Sequence, residues 1–193
     1  MHDDKQPSEF WVFGYGSLIW KPGFDCAERR VARLDGYQRR FALTSEYYRG
    51  TPERPGLVLG LDRVPGTSCV GVALRAHPEE ERRVRDYLAD RELVSYAYFE
   101  TLYPVTLLDD GPGQGETRNA ICYVLDRSHP QYVGPMPEEK QADIISEAVG
   151  PAGPNADYLM NTLDQLNALG IADTHLEHVA QLVRDRKNRE PRQ

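Results

Sequence analysis

The apolar and polar positions of the chain divide it into a strand-rich first part and a helical second part. Segments rich in β-branched and aromatic residues, several of them separated by Gly and Pro clusters, predict strands. These segments lie near 10–13, 30–34, 37–44, 57–61, 69–74, 98–108 and 120–125. Strands interrupted by one helix and followed by further helices indicate the α+β class, but periodicity alone does not distinguish a closed barrel from an open sheet.

Four segments place apolar residues at the spacing of amphipathic helices. The first, 78–91, opens with Pro and Glu residues, which suit the first turn of a helix. The second spans 137–149, and Asn155 is expected to cap the third. Thr174 and Glu177 form a capping-box pattern for the last helix. The predicted buried residues are Val84, Tyr87, Leu88, Ile144, Ile145, Val149, Leu159, Leu163, Leu166, Leu169, Leu176, Val179, Leu182 and Val183.

Length and composition are those of one folded domain. The chain has 193 residues, of which 40% are hydrophobic and 27% charged, and no repeat or long linker divides it. We therefore expect a single domain over 1–193, with a flexible N-terminus over 1–9. The formal net charge of −7 argues against a basic surface for nucleic acid or an anionic membrane. Composition does not predict the oligomeric state.

The cysteines and the apolar runs indicate a cytoplasmic protein without metal. No apolar run is long enough for a transmembrane helix, and the polar N-terminus lacks the apolar region of a signal peptide. Cys26, Cys69 and Cys122 are odd in number and widely spaced, which predicts neither a disulfide framework nor a zinc site. Free thiols are typical of the cytoplasm. The five histidines show no ligand spacing, so we expect no metal.

The most informative motif is Val-Phe-Gly-Tyr-Gly-Ser-Leu-Ile-Trp at 12–20. An apolar strand ends in Gly14, Tyr15, Gly16 and Ser17 before apolar residues resume at Leu18. Glycine permits backbone conformations that expose successive N–H groups, and such groups suit a carboxylate or a phosphate. A Gly-rich turn between two strands is the alternative, and it is the commoner meaning of an arbitrary Gly-x-Gly.

Glu92 is the strongest single candidate for chemistry. It follows Leu88 by one turn at the end of the first predicted helix, at the edge of the apolar face. A carboxylate drawn toward a core resists ionisation, so its pKa rises toward the range useful for proton transfer. A surface ion pair is the alternative. However, no cation stands three or four positions away, and adjacent Arg91 is expected to point elsewhere on the helix.

Two further strings contain candidate residues. Residues 45–52 read Ser-Glu-Tyr-Tyr-Arg-Gly-Thr-Pro, in which Arg49 is a candidate bidentate partner for a carboxylate. An ordinary arginine in a surface loop explains this residue equally well. The string Gly-Pro-Ala-Gly-Pro-Asn-Ala-Asp-Tyr-Leu at 150–159 adds Tyr158 as a weaker candidate. No dinucleotide loop, phosphate-binding Gly-Lys-Ser/Thr or nucleophile elbow is present.

Together these strings resemble the ChaC-type γ-glutamylcyclotransferases over roughly 10–185, in the same order. That family cleaves glutathione into 5-oxoproline and cysteinylglycine, a reaction that needs no cofactor. The resemblance implies a small mixed β-barrel with helices packed around it. It also implies Glu92, which follows Arg91 and precedes Tyr96, as the general base. The residues it implies for substrate binding are Val12, Phe13, Gly14, Tyr15, Gly16, Ser17, Leu18, Arg49 and Tyr96.

One departure from the family pattern and two alternative functions remain. Many relatives carry a histidine immediately before the Arg-Gly pair, where this chain has Tyr48, so histidine chemistry is excluded there. The protein could prefer other γ-glutamyl amines or γ-glutamyl amino acids, or it could be a non-catalytic γ-glutamyl-binding module. Glu92 argues against the module, because a pure binding site needs no base. The oxyanion donor is expected among the loop N–H groups or at Tyr96.

Overall fold

A closed barrel of five strands forms the centre of the molecule in the computed structural model, which describes residues 9–93 and 97–189. The strands are β1 (Trp11–Gly14), β2 (Cys26–Ser45), β3 (Gly56–Ala76), β4 (Tyr98–Leu107) and β5 (Thr117–Leu125). Their order around the barrel is β1-β3-β2-β4-β5, and a parallel pairing of β1 with β5 closes it. The predicted α+β class and barrel are therefore confirmed.

Helices and a short ribbon pack around the barrel. The helices are α1 (Glu81–Glu92), α2 (Glu138–Glu147), α3 (Asn155–Ala168) and α4 (Thr174–Arg189), and the ribbon is β6 (Val149–Gly150) with β7 (Gly153–Pro154). One apolar core runs from Phe10 to Val183 and joins barrel and helices. No helix of the described residues is both long and apolar enough to cross a membrane.

Two long strands replace four shorter predicted ones. The sequence predicts a break near Gly36 and another near Gly66, and both glycines have a φ of +82°. At Gly36 the pairing of β2 with β3 shifts register, because Asp35 pairs with Ser68 and Tyr37 pairs with Arg63. Residues 64–67 of β3, which include Gly66, therefore lie opposite Gly36, and both strands continue past this irregularity. A bulge and a turn both use a glycine with positive φ, and their sequence signals are therefore alike.

The ends of α3 and α2 differ from the prediction. Pro154 holds the N-cap position of α3, whereas the Asn155 side chain turns toward β3. Its Oδ1 accepts from the Leu57 N–H at 2.7 Å and its Nδ2 donates to the Leu57 carbonyl at 2.7 Å. The predicted cap is thus wrong, because a buried amide satisfies two backbone groups of another element instead. Val149, predicted to be buried, is 56% exposed, since α2 ends at Glu147.

The start of α4 also lies one residue from the predicted cap. Asp173 Oδ1 accepts the backbone N–H of Leu176 at 3.0 Å, which is the cap bond that the sequence assigns to Thr174. At the other end of the chain, the predicted flexible segment includes Glu9, which accepts a hydrogen bond from Trp11 Nε1 at 3.0 Å. Residues 1–8 of that segment lie outside the described part.

Candidate active site

A cavity of about 1050 Å³ opens where the end of β1 meets α1 and α3. The β1 loop, the end of β2 with the loop after it, the end of α1 and the start of α3 form its walls. The residues used below that line it are Tyr15, Gly16, Ser17, Leu18, Lys21, Tyr47, Tyr48, Arg49, Leu59, Tyr87, Arg91, Glu92, Tyr98, Asp157 and Tyr158. The four separated strings that carry the resemblance therefore meet in one cavity.

The loop after β1 forms one wall. It continues into a single 3₁₀ turn, Ser17–Ile19, whose first bond runs from the Ile19 N–H to the Gly16 carbonyl at 2.9 Å. The preceding N–H groups have no acceptor inside the turn. Behind the loop, buried Arg39 donates from Nε to the Tyr15 carbonyl at 2.5 Å. Arg39 thus fixes the loop from the core side, while Gly16, Ser17 and Leu18 line the cavity.

The first three residues of the motif lie behind the cavity. Val12 and Phe13 are fully buried in β1, and Gly14 ends that strand, and none of the three lines the cavity. The lining begins at Tyr15. These three residues can affect binding only by fixing the position of the loop that follows them. Tyr96, the other residue implied by the resemblance, lies outside the described residues.

Glu92 is the last residue of α1 and faces the cavity with 15% of its side chain exposed. Burial raises the pKa of its carboxyl group, and the Arg91 guanidinium opposes that rise without cancelling it. Its negative charge also helps to raise the pKa of Tyr158 to about 12, although burial is the larger cause. A buried carboxylate with a raised pKa can accept and return a proton near neutral pH.

Arg91 pairs with Glu92, which corrects the expectation that it points elsewhere. Its Nε lies 2.9 Å from Glu92 Oε1. Adjacent side chains leave a helix about 100° apart, but arginine is long enough to curve back at a helix end. Nη2 donates to Ser17 Oγ at 2.9 Å, and Nη1 donates to Tyr87 Oη at 2.9 Å and to the Lys21 carbonyl at 2.5 Å. Arg91 therefore ties the β1 loop to the candidate base, a role the sequence analysis missed although the residue adjoins Glu92.

Two tyrosines, Tyr98 and Tyr158, lie close enough to Glu92 for its charge to contribute to their raised pKa values, although burial is the larger cause. Tyr98 donates to the Leu59 carbonyl at 3.0 Å, and the Leu59 N–H donates to Tyr158 Oη at 3.3 Å. A Cβ added to Gly16 would lie 3.0 Å from Tyr158 Oη, so the loop approaches this hydroxyl closely. The weak candidate Tyr158 is therefore part of the site. The sequence analysis did not single out Tyr98, because the residues around a tyrosine in a strand do not indicate which group its hydroxyl will contact.

Arg49 lies in the wall formed by the loop after β2. Its guanidinium carbon is 5.6 Å from the centre of the Tyr158 ring, and its Nη1 donates to the Pro154 carbonyl at 3.2 Å. Tyr47 and Tyr48, 66% and 53% exposed, stand beside it at the mouth of the cavity. In the described residues, no group of three or more His, Cys, Asp or Glu is placed to hold a metal ion.

Comparisons with known proteins point to one family. A family model described as "ChaC-like protein" matches residues 10–186. Gamma-glutamylcyclotransferase 2-3 of Arabidopsis thaliana is 37% identical over 177 residues, 90% of this chain and 88% of that protein. The glutathione-specific gamma-glutamylcyclotransferase of Escherichia coli is 36% identical over 166 residues, 86% of this chain and 69% of that protein. The crystal structure of a γ-glutamyl cyclotransferase specific to glutathione from yeast aligns with a TM-score of 0.81 at 26% identity, covering 92% and 96% of the two chains.

Proposed function

Because the chain belongs to the ChaC-like protein family, we propose that it cleaves glutathione by intramolecular cyclisation of the γ-glutamyl group. The products are 5-oxoproline and cysteinylglycine. The observation that carries the proposal is the buried Glu92 carboxylate, tied through Arg91 to the Ser17 loop in one cavity. Family membership supports the reaction, and this geometry supports the assignment of roles to residues.

Glu92 acts as the proton carrier in this scheme. The substrate α-amine is mostly protonated at neutral pH, and Glu92 accepts its proton as a carboxylate. The freed nitrogen attacks the γ-carbonyl carbon and forms the fifth bond of the lactam ring. The bond from that carbon to the cysteine nitrogen then breaks as Glu92 returns the proton to the departing nitrogen. The ring nitrogen also gives up its second proton to that departing amine, so the products are a neutral lactam and a dipeptide with a protonated amine. One residue can serve as base and acid because both nitrogens are bonded to the same carbon in the intermediate.

The cavity walls hold the substrate for this attack. Both reacting groups belong to one molecule, so the main task of the protein is to fix their geometry. The Ser17 hydroxyl and the N–H groups of Gly16 to Leu18 are proposed to bind the α-carboxylate, beside the amine that Glu92 deprotonates. The same N–H groups, or Tyr96, are the proposed donors to the tetrahedral oxyanion. Arg49 is proposed to bind a carboxylate. No step calls for a cofactor.

We place this activity in the cytoplasm. Cys26, Cys69 and Cys122 are all free thiols, and burial raises the pKa of Cys122 to about 12 and also raises that of Cys69. Such protonated thiols form disulfides slowly and fit a reducing compartment, where glutathione is also kept as the thiol.

Glutathione acetylated on its α-nitrogen tests the nucleophile. This compound keeps the scissile amide and the cysteinylglycine portion but has no competent amine, so we expect it to bind and remain intact. Binding is checked by competition against unmodified glutathione. Release of cysteinylglycine from the acetylated compound would show that water attacks, and it would replace cyclisation with hydrolysis.

A further inference from the structure

Arg49 carries an unbalanced positive charge in the cavity wall. Of its five N–H donors, one has an acceptor among residues 9–93 and 97–189: Nη1 donates to the Pro154 carbonyl. No carboxylate of the described residues forms an ion pair with it. Asp157 is close enough for its charge to act on Arg49 but not to pair with it, and burial lowers the pKa of the guanidinium. Partial burial of an unpaired cation is unfavourable, and an anionic ligand removes that cost.

The loop that carries Arg49 is held in place by backbone contacts. The Arg49 N–H donates to Ser45 Oγ at 3.0 Å, and the Ala152 N–H donates to the Tyr48 carbonyl at 2.9 Å. A Cβ added to Gly150 would lie only 2.4 Å from the same Tyr48 carbonyl oxygen. These contacts fix the backbone of Arg49, while the Pro154 carbonyl and the Tyr158 ring hold its guanidinium in the cavity wall.

Tyr158 separates Arg49 from the end of the cavity that holds the base. Its ring faces the guanidinium, while its hydroxyl lies against Gly16 of the β1 loop. Ser17, Arg91 and Glu92 are linked to one another at that loop. The cavity therefore has a loop end, with the proposed base, and a cationic end at Arg49.

We propose that Arg49 binds the C-terminal carboxylate of the leaving dipeptide and thereby selects γ-glutamyl peptides of glutathione length. The inference rests on the proposed function. The α-carboxylate and the α-amine of the substrate share one carbon, so both must lie at the loop end with Glu92. The remaining carboxylate belongs to the glycine, at the far end of a Cys-Gly portion that spans at most about 7 Å. Arg49 is the cation on the other side of Tyr158, with its guanidinium carbon 5.6 Å from the centre of that ring. The Arg49 donors then form a charged, bidentate contact with the glycine carboxylate.

The test compares glutathione with its C-terminal amide, which has the same length and shape but no terminal charge. We expect the wild-type protein to prefer glutathione about 10- to 100-fold in kcat/KM, as for a hydrogen bond between charged groups. Arg49→Gln should bring glutathione down to the level of the amide and leave the amide nearly unchanged. Arg49→Lys should keep part of the preference.

Arg54→Gln is the matched control, because it changes the net charge by the same amount as Arg49→Gln. Arg54 lies in the same loop, but it is exposed and does not line the cavity. Its preference should equal that of the wild type. The proposal is overturned if the wild type turns over both substrates equally. It is also overturned if Arg49→Gln slows both by the same factor, which would place the α-carboxylate at Arg49. Either result leaves the proposed function standing, whereas failure of the wild type to release 5-oxoproline from glutathione overturns both.

Discussion

At the scale of single residues, the account depends on Glu92 in its carboxylate form. Glutamine at this position keeps the size and the hydrogen-bonding atoms of the side chain but cannot accept a proton. We therefore expect Glu92→Gln to fold and to lose about 10²–10⁴ in kcat. The rate of 5-oxoproline release measures the loss, and circular dichroism checks the fold.

Asp90→Asn is the control for that variant. Asp90 lies in the same helix, is exposed, and loses the same charge on substitution. We expect its turnover to match that of the wild type. If folded Glu92→Gln turned over glutathione near the wild-type rate, Glu92 would not be the proton carrier.

Arg91 is expected to set the pH dependence of the reaction. Activity needs the Glu92 carboxylate, so the rate should fall as the pH falls through the Glu92 pKa in the folded protein. The positive charge of Arg91 holds that raised pKa down. Arg91→Gln should therefore move the acid limb of the kcat/KM profile to higher pH, and Arg91→Lys should move it less. An acid limb at the wild-type position would mean that Arg91 serves only to hold the loop.

Sequence reasoning singled out residues that line the cavity, but it did not predict the contacts between them. Glu92 and the β1 loop are visible because spacing and glycines have local meaning. The Arg91–Glu92 pair was misjudged because helix geometry fixes where a long side chain starts but not where it ends. Tyr98 was missed because its environment is built by β3, which is remote in sequence. Burial and pairing are tertiary properties, and the linear pattern does not contain them.

At the scale of elements, periodicity placed the helices well, but their boundaries needed tertiary contacts. Asn155 shows the reason: its side chain could cap its own helix, yet it binds the Leu57 backbone in β3. An asparagine side chain can cap a helix or bind the backbone of a remote strand, so the residue type alone does not distinguish the two. Likewise, Gly36 and Gly66 signal a turn in sequence, whereas strand pairing decides that β2 and β3 continue past them.

The Asn155 cross-link between α3 and β3 should be measurable in stability. Asn155→Ala leaves the buried Leu57 groups without their side-chain partners, and we expect a loss of about 1–3 kcal/mol in the free energy of unfolding. Urea titration measures it. Asn167→Ala makes the same change at an exposed position of α3 and should cost little. Equal effects of the two variants would show that the cross-link does not stabilise the fold.

At the scale of the whole molecule, the fold holds a carboxylate where burial disfavours its charge. The Glu92 pKa is higher in the folded state than its ordinary value of 4.5, so the folded state binds this proton more tightly than the unfolded state. The contribution of Glu92 to stability is therefore present below about pH 4.5 and is lost as the pH rises toward the folded-state pKa.

Replacing the Glu92 carboxylate with a neutral amide should make the protein more stable than the wild type, although we expect the variant to be inactive. At pH 7 we expect Glu92→Gln to melt about 2–4 °C above the wild type, which corresponds to about 1 kcal/mol for a chain of this size. The difference in Tm should shrink as the pH is lowered toward 4.5. A variant less stable than the wild type at pH 7 would contradict the view that burial dominates over the Arg91 pair.

The most direct test of the account is the fate of glutathione incubated with the protein in ¹⁸O-labelled water, followed by mass spectrometry. Intramolecular attack predicts 5-oxoproline and cysteinylglycine in equal amounts, with no ¹⁸O in either product, because water takes no part in breaking the amide. Free glutamate with ¹⁸O in its γ-carboxyl group, or no cleavage of glutathione by the folded protein, would contradict the account.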